Sequence, residues 1–556
     1  MTGPTGSVAD AATVPTAGAS GDVGVRSGGR GPDGALRVVS HLAAELPLVV
    51  LGAVELAKGW RPVYDNADLA LRSYQVFTSR SPLVGHQMAV SAGSRAVFGP
   101  GPIQNWLLAV PVRLDPAQGV LWGALVAVVV AVVLTVEAGW AVSGWRGAAV
   151  SAGSVLVLFL ARTDVALDVA WNVWFGLCFL LTVVGSGLAA ATGRLRWWPV
   201  TVVAATVVVQ CQAAFVPPAV AVCLVTPVLG VAVRRRRARE VGWGWLAVGI
   251  GVGVAMWGAP FAQQATTRPG NLTLLARAAR ESGPPIGWSP ALRAFGGAAG
   301  VPPAWVHPLP PPGASLFVAI VDTFSGPAWW GVVVLVALAA TGLVAWRTGR
   351  TDLAALAVVT LALSAGSVAA IGSVPGSQFL VVGYLGALWV PVGTAVWVTF
   401  VWAARELAAA ARRRWRPVVA AGPGGARVER RIAAVAVVAL VLGSAGVVWR
   451  GIDRMAGITP TLSGWTAVHA AAAGADAAAR VAPHGPFRLE VAGPGSATHF
   501  AVVTGVAYLL VTRGFDPRPD PPVAWATFGR PSDRGPVVVL EVPDGTGTVH
   551  AHLRSG

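Results

Sequence analysis

The chain has 556 residues, of which 54% are hydrophobic and only 12% are charged, and its mean hydropathy is +0.64. Because a soluble domain carries roughly 25% charged residues, this composition excludes a globule in water and predicts an integral membrane protein. The formal net charge of +16 does not indicate nucleic-acid binding, since the arginines cluster in short loops beside apolar segments, where they orient a membrane protein.

Residues 1–34 are rich in Gly, Ser, Thr, Ala and Pro and contain almost no large apolar residues, so we expect a disordered tail. After this tail, apolar segments of about the length needed to cross a bilayer predict about eleven transmembrane helices, the third of them short. They lie near residues 36–58, 119–136, 148–161, 171–191, 199–215, 219–233, 243–259, 329–346, 353–371, 379–403 and 432–449.

Arginine-rich loops follow the second, fourth, sixth, eighth and tenth of these segments. The positive-inside rule therefore predicts a cytoplasmic N-terminal tail and an extracytoplasmic C-terminal end, in a bacterial plasma membrane. This topology gives a transmembrane domain at 35–403 with long outer loops at 59–118 and 260–328, a basic cytoplasmic loop at 404–431, a last transmembrane helix at 432–449 and an extracytoplasmic domain at 450–556.

The C-terminal segment combines an Ala-rich helical stretch at 467–482 with strand-like runs at 487–491 and 537–542, a pattern typical of a small α/β domain. The predicted fold class is therefore an all-α polytopic membrane protein with about 11 transmembrane helices and a small C-terminal extracytoplasmic α/β domain.

Two carboxylates, Asp65 and Asp68, stand just beyond the first predicted membrane exit. The spacing of apolar residues predicts an amphipathic surface helix over 68–77 and a second interfacial helix over 103–114, with Trp106 at headgroup level. Such helices would hold Asp65 at the mouth of a cavity between spans, where a carboxylate can do chemistry. Alternatively, both residues are solvated and one of them caps the surface helix.

Further polar residues on the same predicted face lie in a short loop or inside apolar segments. A tryptophan at an interface is usually an aromatic-belt anchor, whereas a buried amide needs a hydrogen-bond partner from a neighbouring helix or from a substrate. Histidines such as His86 are scattered through the outer segments and are interpreted as surface residues rather than metal ligands. The polar candidates are Asp164, Asp168, Trp171, Asn172, Gln210 and Gln212.

Several short motifs occur in a fixed order between residues 60 and 275. They are Asp65, Leu71-Arg72, PLVG at 82–85, GPGP at 99–102, WNVW at 171–174, QCQ at 210–212, WGAP at 257–260 and Gly270-Asn271. This ordered set resembles the GT-C superfamily of integral-membrane glycosyltransferases, and in particular its large actinobacterial members. The sequence departs from that pattern at three positions: Gly99 and Gln212 stand where the family has histidines, and Asn66 stands where a second acid is common.

The resemblance implies a transferase that takes a sugar from a polyprenyl-phosphate donor in the bilayer and passes it to a cell-envelope glycan, glycolipid or glycoprotein. Asp65 would be the general base of a single displacement that inverts the anomeric centre. Arg72, Arg80 or Arg95 would stabilise the departing phosphate, with Asn271 and Asp68 as further binding residues. Asp164 or Asp168 would position the acceptor or hold a divalent cation, the one possible cofactor.

Two other functions remain open from the residues. A transporter or flippase of a lipid-linked substrate would move its substrate across the bilayer without forming a glycosidic bond. A non-catalytic envelope assembly protein is favoured by the replaced histidines at Gly99 and Gln212.

Overall fold

Helices make up most of the chain. The computed structural model describes residues 32–92, 95–306, 326–376, 383–415, 424–456, 465–492, 497–520, 535–541 and 549–554. Nearly all of the predicted N-terminal tail, and the start of the tenth predicted span, lie outside the described residues.

The helices that precede the C-terminal domain are numbered in chain order. They are α1 (Pro32–Ala57), α2 (Asp65–Gln75), α3 (Ile103–Leu114), α4 (Gly119–Ser143), α5 (Trp145–Ala161), α6 (Thr163–Leu167), α7 (Asn172–Ala191), α8 (Trp198–Cys211), α9 (Val216–Arg236), α10 (Trp243–Met256), α11 (Gly258–Thr266), α12 (Asn271–Glu281), α13 (Trp288–Ala298), α14 (Ala328–Arg347), α15 (Thr351–Gly372), α16 (Trp389–Trp415) and α17 (Gly424–Ala456).

The membrane-spanning character of these helices agrees with the sequence. Eight of the described helices are long and apolar enough to cross a membrane, and a ninth span results if α10 and α11, bent by 42°, are taken together. The third and fifth predicted spans are shorter apolar helices, Trp145–Ala161 and Leu195–Cys211. A helix of 17 residues is about 26 Å long, near the lower limit for crossing. The chain is therefore a multi-pass membrane protein.

The loops differ from expectation in three regions. The predicted basic loop at 404–431 is largely helical, because α16 continues to Trp415 and α17 already begins at Gly424. Ala, Arg and Glu dominate this stretch, and all three are strong helix formers. The long segment at 260–328 likewise contains α12 and α13, and residues 76–102 contain a hairpin of β1 (Gln87–Ala92) and β2 (Arg95–Phe98) that the sequence did not predict.

The helix bundle has two chemically different ends. At one end, which we call the site end, the side chain of Gln118 donates a hydrogen bond of 2.9 Å to the Leu56 carbonyl and so joins α4 to α1. At the other, the arginine end, Arg237 forms an ion pair of 2.9 Å with Asp352, and Arg234 bonds the Gly193 carbonyl at 3.0 Å. The loops of the two ends alternate along the chain.

The C-terminal part contains helices α18 (Trp465–Val481) and α19 (Ala497–Thr512) and strands β3 (Pro486–Ala492), β4 (Asp516–Pro519), β5 (Val537–Glu541) and β6 (His550–Arg554). The strand order is β4-β3-β5-β6, with β6 antiparallel to β5 and the other pairs parallel. This confirms the predicted small α/β domain. It packs on the site end, where the Tyr508 hydroxyl donates to the Pro116 carbonyl at 2.7 Å.

Candidate active site

Helix α2 places three charged residues beside one another. It begins at Asp65, earlier than predicted, directly after Tyr64, whose φ of 51° is unusual for a residue with a side chain. One turn later, Oδ2 of Asp68 forms an ion pair with Nε of Arg72 at a distance of 3.1 Å. The Arg72 guanidinium also lies over the Phe98 ring, 4.7 Å from its centroid, so both contacts hold Arg72 in place.

Asp65 lies in a recess rather than in open solvent. The Asp65 residue is exposed to solvent. Protein atoms nevertheless surround its carboxylate closely, and this burial is the main reason why the pKa of Asp65 is raised. The His86 charge and a hydrogen bond of 3.0 Å from Trp171 Nε1 to Asp65 Oδ2 lower the same pKa, and the Asp68 charge raises it. These observations together describe an exposed carboxylate that is closely surrounded by protein.

His86 is the site residue that the sequence interpretation missed. Burial lowers the pKa of its imidazole, whereas the Asp65 and Asp68 charges raise it, which places His86 within electrostatic reach of Asp65. The backbone carbonyl of His86 accepts a hydrogen bond of 2.8 Å from the Gly99 amide at the base of the hairpin. Its position directly after the PLVG motif was the available signal, but only the hairpin brings it to the carboxylates.

A second acid lies behind Asp65. Asp168 is buried, and its Oδ1 accepts a hydrogen bond of 3.0 Å from Nδ2 of Asn66. Burial raises the pKa of Asp168 to about 6, the Asn66 hydrogen bond lowers it, and the Asp65 and Asp164 charges raise it further. Asn66 thus stands against a carboxylate, where a second acid would be repelled.

Asp164 is engaged by a buried arginine. Arg162 binds it through two nitrogens, at 3.1 and 2.6 Å, and lies 4.9 Å from the centroid of the Trp174 ring. Although burial alone would raise the pKa of Asp164, the Arg162 charge and hydrogen bond lower it. Nη1 of Arg162 is buried and has no hydrogen-bond partner among the described residues.

The donor set at Asp164 does not fit a metal site, because both of its carboxylate oxygens bind Arg162. Within the described part of the chain, no three His, Cys, Asp or Glu side chains are grouped so that they could hold a metal ion. A divalent cation at Asp168 stays a prediction.

Two of the predicted amides have backbone partners. Nδ2 of Asn172 donates to the Cys211 carbonyl at 2.9 Å. Gln210 accepts from the Ile103 amide at 3.2 Å and donates to the Met256 carbonyl at 3.0 Å. These contacts join α7, α8, α3 and α10, so both side chains build the walls of the site, and their contact with substrate stays a prediction.

Gln212 and Asn271 also make backbone contacts. Gln212 accepts a hydrogen bond of 3.4 Å from the Ala214 amide. Asn271 pairs with the backbone of Phe98 in both directions, at 3.0 and 2.9 Å, and thereby ties α12 to the hairpin. Their roles in binding also stay predictions.

The three arginines proposed for the phosphate differ in their surroundings. Arg80 and Arg95 are exposed, whereas Arg72 is buried and bound to Asp68. Arg162, which the sequence interpretation did not select, is a further buried cation close to the acids.

Gly99 has a structural explanation. A Cβ atom at this position would lie 3.3 Å from the Gln210 carbonyl oxygen and 3.5 Å from the Cα of Gly85. The hairpin base and α8 are therefore packed closely here, and a histidine side chain would need its neighbours to shift. Glycine therefore stands at a point where the chain leaves little room for a side chain.

Taken together, the fold and this site define a multi-pass membrane protein with a cluster of acids, of which Asp168 is buried and Asp65 is exposed, at one end of its helices. No protein-family model and no curated protein matches the chain. Among solved structures, it is similar to ArnT from Cupriavidus metallidurans bound to undecaprenyl phosphate, with 16% identity, a TM-score of 0.44 and coverage of 90% of this chain and 93% of that chain. It is also similar to the same protein in the apo state, with 16% identity, a TM-score of 0.39 and coverage of 89% of this chain and 93% of that chain. A similarity of this degree does not by itself assign a function.

Proposed function

We propose that this protein is an inverting GT-C-type glycosyltransferase, which moves a sugar from a polyprenyl-phosphate donor to a hydroxyl group of a cell-envelope acceptor at the outer face of the plasma membrane. The observation that carries the proposal is Asp65: a carboxylate in a water-accessible recess, hydrogen-bonded by Trp171 and with its pKa raised by burial. A raised pKa makes a carboxylate a stronger base.

In the proposed reaction, Asp65 accepts the proton of the acceptor hydroxyl while the hydroxyl oxygen attacks the anomeric carbon of the sugar. The bond from that carbon to the phosphate oxygen breaks, and polyprenyl phosphate leaves with the bonding electrons. A positioned base contributes roughly 10²–10⁴-fold to such a step. The Trp171 indole donates to Oδ2 of Asp65 and so fixes the orientation of the Asp65 carboxylate. The other carboxylate oxygen, Oδ1, then faces the acceptor hydroxyl.

The departing phosphate needs positive charge. Arg162 supports this part of the proposal, because its guanidinium is buried and its Nη1 has no hydrogen-bond partner among the described residues. Arg72 is held against Asp68 and Phe98 and contributes a second buried cation near Asp65. A charged group that is already desolvated and fixed stabilises developing charge with little reorganisation.

His86 supports an active rather than a vestigial site. Burial lowers the pKa of its imidazole and so favours the neutral form, which can accept a hydrogen bond from a substrate hydroxyl as well as donate one. It is bonded through its backbone to Gly99, the position at which the related enzymes carry a histidine. We infer that His86, directly before β1, supplies the imidazole that position 99 lacks.

The test is Asp65→Asn in the full-length protein, assayed for sugar transfer from a synthetic polyprenyl-phosphate sugar. We expect a rate at least about 100-fold below that of the wild type. Asp476→Asn is the matched control, because Asp476 is an exposed acid in a surface ion pair with Arg513, and it should retain full activity.

Transfer at the wild-type rate by Asp65→Asn would refute the role of Asp65 as base. Movement of labelled lipid between leaflets without any new glycosidic bond would favour a flippase. Loss of envelope assembly on deletion of the C-terminal domain, with Asp65→Asn silent, would favour the non-catalytic role to which Gly99 and Gln212 point.

A further inference from the structure

A cavity of about 290 Å³ opens at the arginine end of the bundle, away from the proposed active site. Five arginines from the α7–α8 loop and from the end of α9 converge on it, and none of the eleven described residues that line it is acidic. These residues are Thr192, Gly193, Arg194, Leu195, Arg196, Val233, Arg234, Arg237, Arg239, Gly242 and Trp245. Its size is close to the lower end of the range of ligand pockets, roughly 300 Å³.

Protein groups hold three of these arginines in place. Arg194 donates to the Thr192 hydroxyl at 2.7 Å, Arg234 to the Gly193 carbonyl at 3.0 Å, and Arg237 to Asp352 at 2.9 Å. Because the acceptors of Arg194 and Arg234 are neutral, these two guanidinium groups are fixed without being neutralised, whereas Arg237 is paired with a carboxylate. The cavity wall is thus preformed and positively charged.

The positive charge exceeds what nearby carboxylates balance. Burial lowers the pKa of Arg194, and the Arg237, Arg196 and Arg239 charges lower it further, against a single raising charge from Asp352. Arg196 and Arg239 are exposed, and in the described part of the chain their side chains form no hydrogen bond or ion pair. An anion in the cavity would relieve this repulsion.

Two exposed tryptophans lie at or beside the cavity. Trp245 is 48% exposed at its rim and Trp243 beside it is 59% exposed, as is typical of tryptophans at a membrane–water interface. The positive-inside rule explains why arginines occur in such loops. It does not explain why five of them line one cavity between helices, an arrangement that suits anionic headgroups.

We propose that this cavity binds a phosphate group, and that in the membrane the phosphate belongs to the headgroup of an anionic phospholipid. Arg196 and Arg239 would bind the phosphate oxygens, while Arg194, Arg234 and Arg237 form the charged wall behind them. Bound lipid would join the α7–α8 loop to the end of α9 and stabilise the arginine end. This site is separate from Asp65 and does not depend on the proposed transferase activity.

The experiment uses the full-length protein purified in neutral detergent, with phosphatidylglycerol, phosphatidylcholine and inorganic phosphate as separate ligands. Native mass spectrometry counts the bound lipid, and thermal unfolding measures the stabilisation. The test variant is Arg196→Gln with Arg239→Gln, which leaves the three fixed arginines untouched. Arg235→Gln is the matched control, because Arg235 lies in the same exposed arginine run but does not line the cavity.

We expect wild type to retain phosphatidylglycerol in preference to phosphatidylcholine. The double variant should bind phosphatidylglycerol roughly 25-fold more weakly, from about fivefold per arginine, and Arg235→Gln should bind it as wild type does. Equal stabilisation by inorganic phosphate would support the phosphate site but identify the free ion as its ligand. Equal retention of both lipids, or equal weakening by Arg235→Gln, would overturn the proposal.

Discussion

The backbone amide of Tyr64 donates a hydrogen bond of 3.1 Å to the side-chain hydroxyl of Thr504, a residue 440 positions further along the chain. The Thr504 hydroxyl in turn donates to the Ala501 carbonyl at 3.0 Å, which fixes its orientation. Because Tyr64 precedes Asp65 and has a positive φ, the C-terminal domain holds the backbone from which the proposed base projects. Unusual backbone angles of this kind persist only where the surroundings enforce them.

Thr504→Val should therefore slow sugar transfer by about tenfold, because an amide that loses its acceptor costs about 1–3 kcal/mol and releases the start of α2. We expect kcat to fall while KM for the acceptor changes little. Thr512→Val is the control, since the Thr512 hydroxyl bonds only the Leu509 carbonyl in its own helix. A wild-type kcat in Thr504→Val would show that the domain contact does not position Asp65.

Trp171→Phe should move the acid limb of the pH–rate profile to higher pH. The indole hydrogen bond lowers the pKa of Asp65, so its removal raises that pKa, and the ionised base then appears only at higher pH. Activity should be reduced most at low pH and recover on the alkaline side. Trp106→Phe, which removes only a 3.3 Å bond to the Pro82 carbonyl, should leave the profile unchanged. A displaced profile in the control, or none in Trp171→Phe, contradicts this role.

Asn66→Asp should destabilise the protein in a pH-dependent way. It replaces the amide that donates to Asp168 with a second carboxylate at the same distance of 3.0 Å, and like charges raise the pKa of Asp168 above its present value of about 6. A raised carboxyl pKa in the folded state means that stability falls as pH rises from the unfolded value through the folded one. We expect thermal unfolding to show a loss of about 1–3 kcal/mol at pH 8 and little loss at pH 5.

The control for this prediction is the exchange variant Asn66→Asp with Asp168→Asn, which restores one amide facing one carboxylate. Its melting temperature at pH 8 should return most of the way to that of the wild type. If the exchange variant is as unstable as Asn66→Asp alone, repulsion between the two carboxylates is not the cause.

Asp164→Asn should destabilise the fold strongly, by about 3–5 kcal/mol, because it leaves the Arg162 charge buried without its partner. The double variant Arg162→Met with Asp164→Leu removes both charges and should recover most of the melting temperature. Sugar transfer measured on that stable double variant then tests Arg162 separately: low activity supports its role at the phosphate. Equal instability of the single and double variants would contradict the buried-pair explanation.

The sequence predicted the positions of helices better than it predicted which side chains contact one another. The helix expected over 103–114 is observed as α3 with the same bounds, because its apolar spacing and the preceding prolines are local signals. By contrast, the sequence names Trp171 as a candidate binding residue or an interface anchor, but it does not predict that the Trp171 indole binds Asp65 across 106 positions of the chain. No local pattern encodes that pairing.

His86 is a second residue whose place in the site could not be predicted from the sequence. Single histidines carry almost no signal in a sequence, and the hairpin that brings His86 to the acids lies in a segment without strong strand periodicity. The helices extend into the predicted loop at 404–431 for a simpler reason. Its arginines, together with Ala and Glu, are strong helix formers, and this propensity acts on the same residues that serve as topology signals.

The hydrogen bond between Tyr64 and Thr504 also sets an order of events during synthesis. At about 5–20 residues per second, a ribosome needs roughly 20–90 s to travel from position 64 to position 504. The span leading to Asp65 and the span leading out to the C-terminal domain are both inserted before that contact can form. A nascent chain that has already inserted most of its helices into the bilayer therefore still lacks the Tyr64–Thr504 hydrogen bond that positions the proposed base. The proposed active site would be complete only at the end of biogenesis.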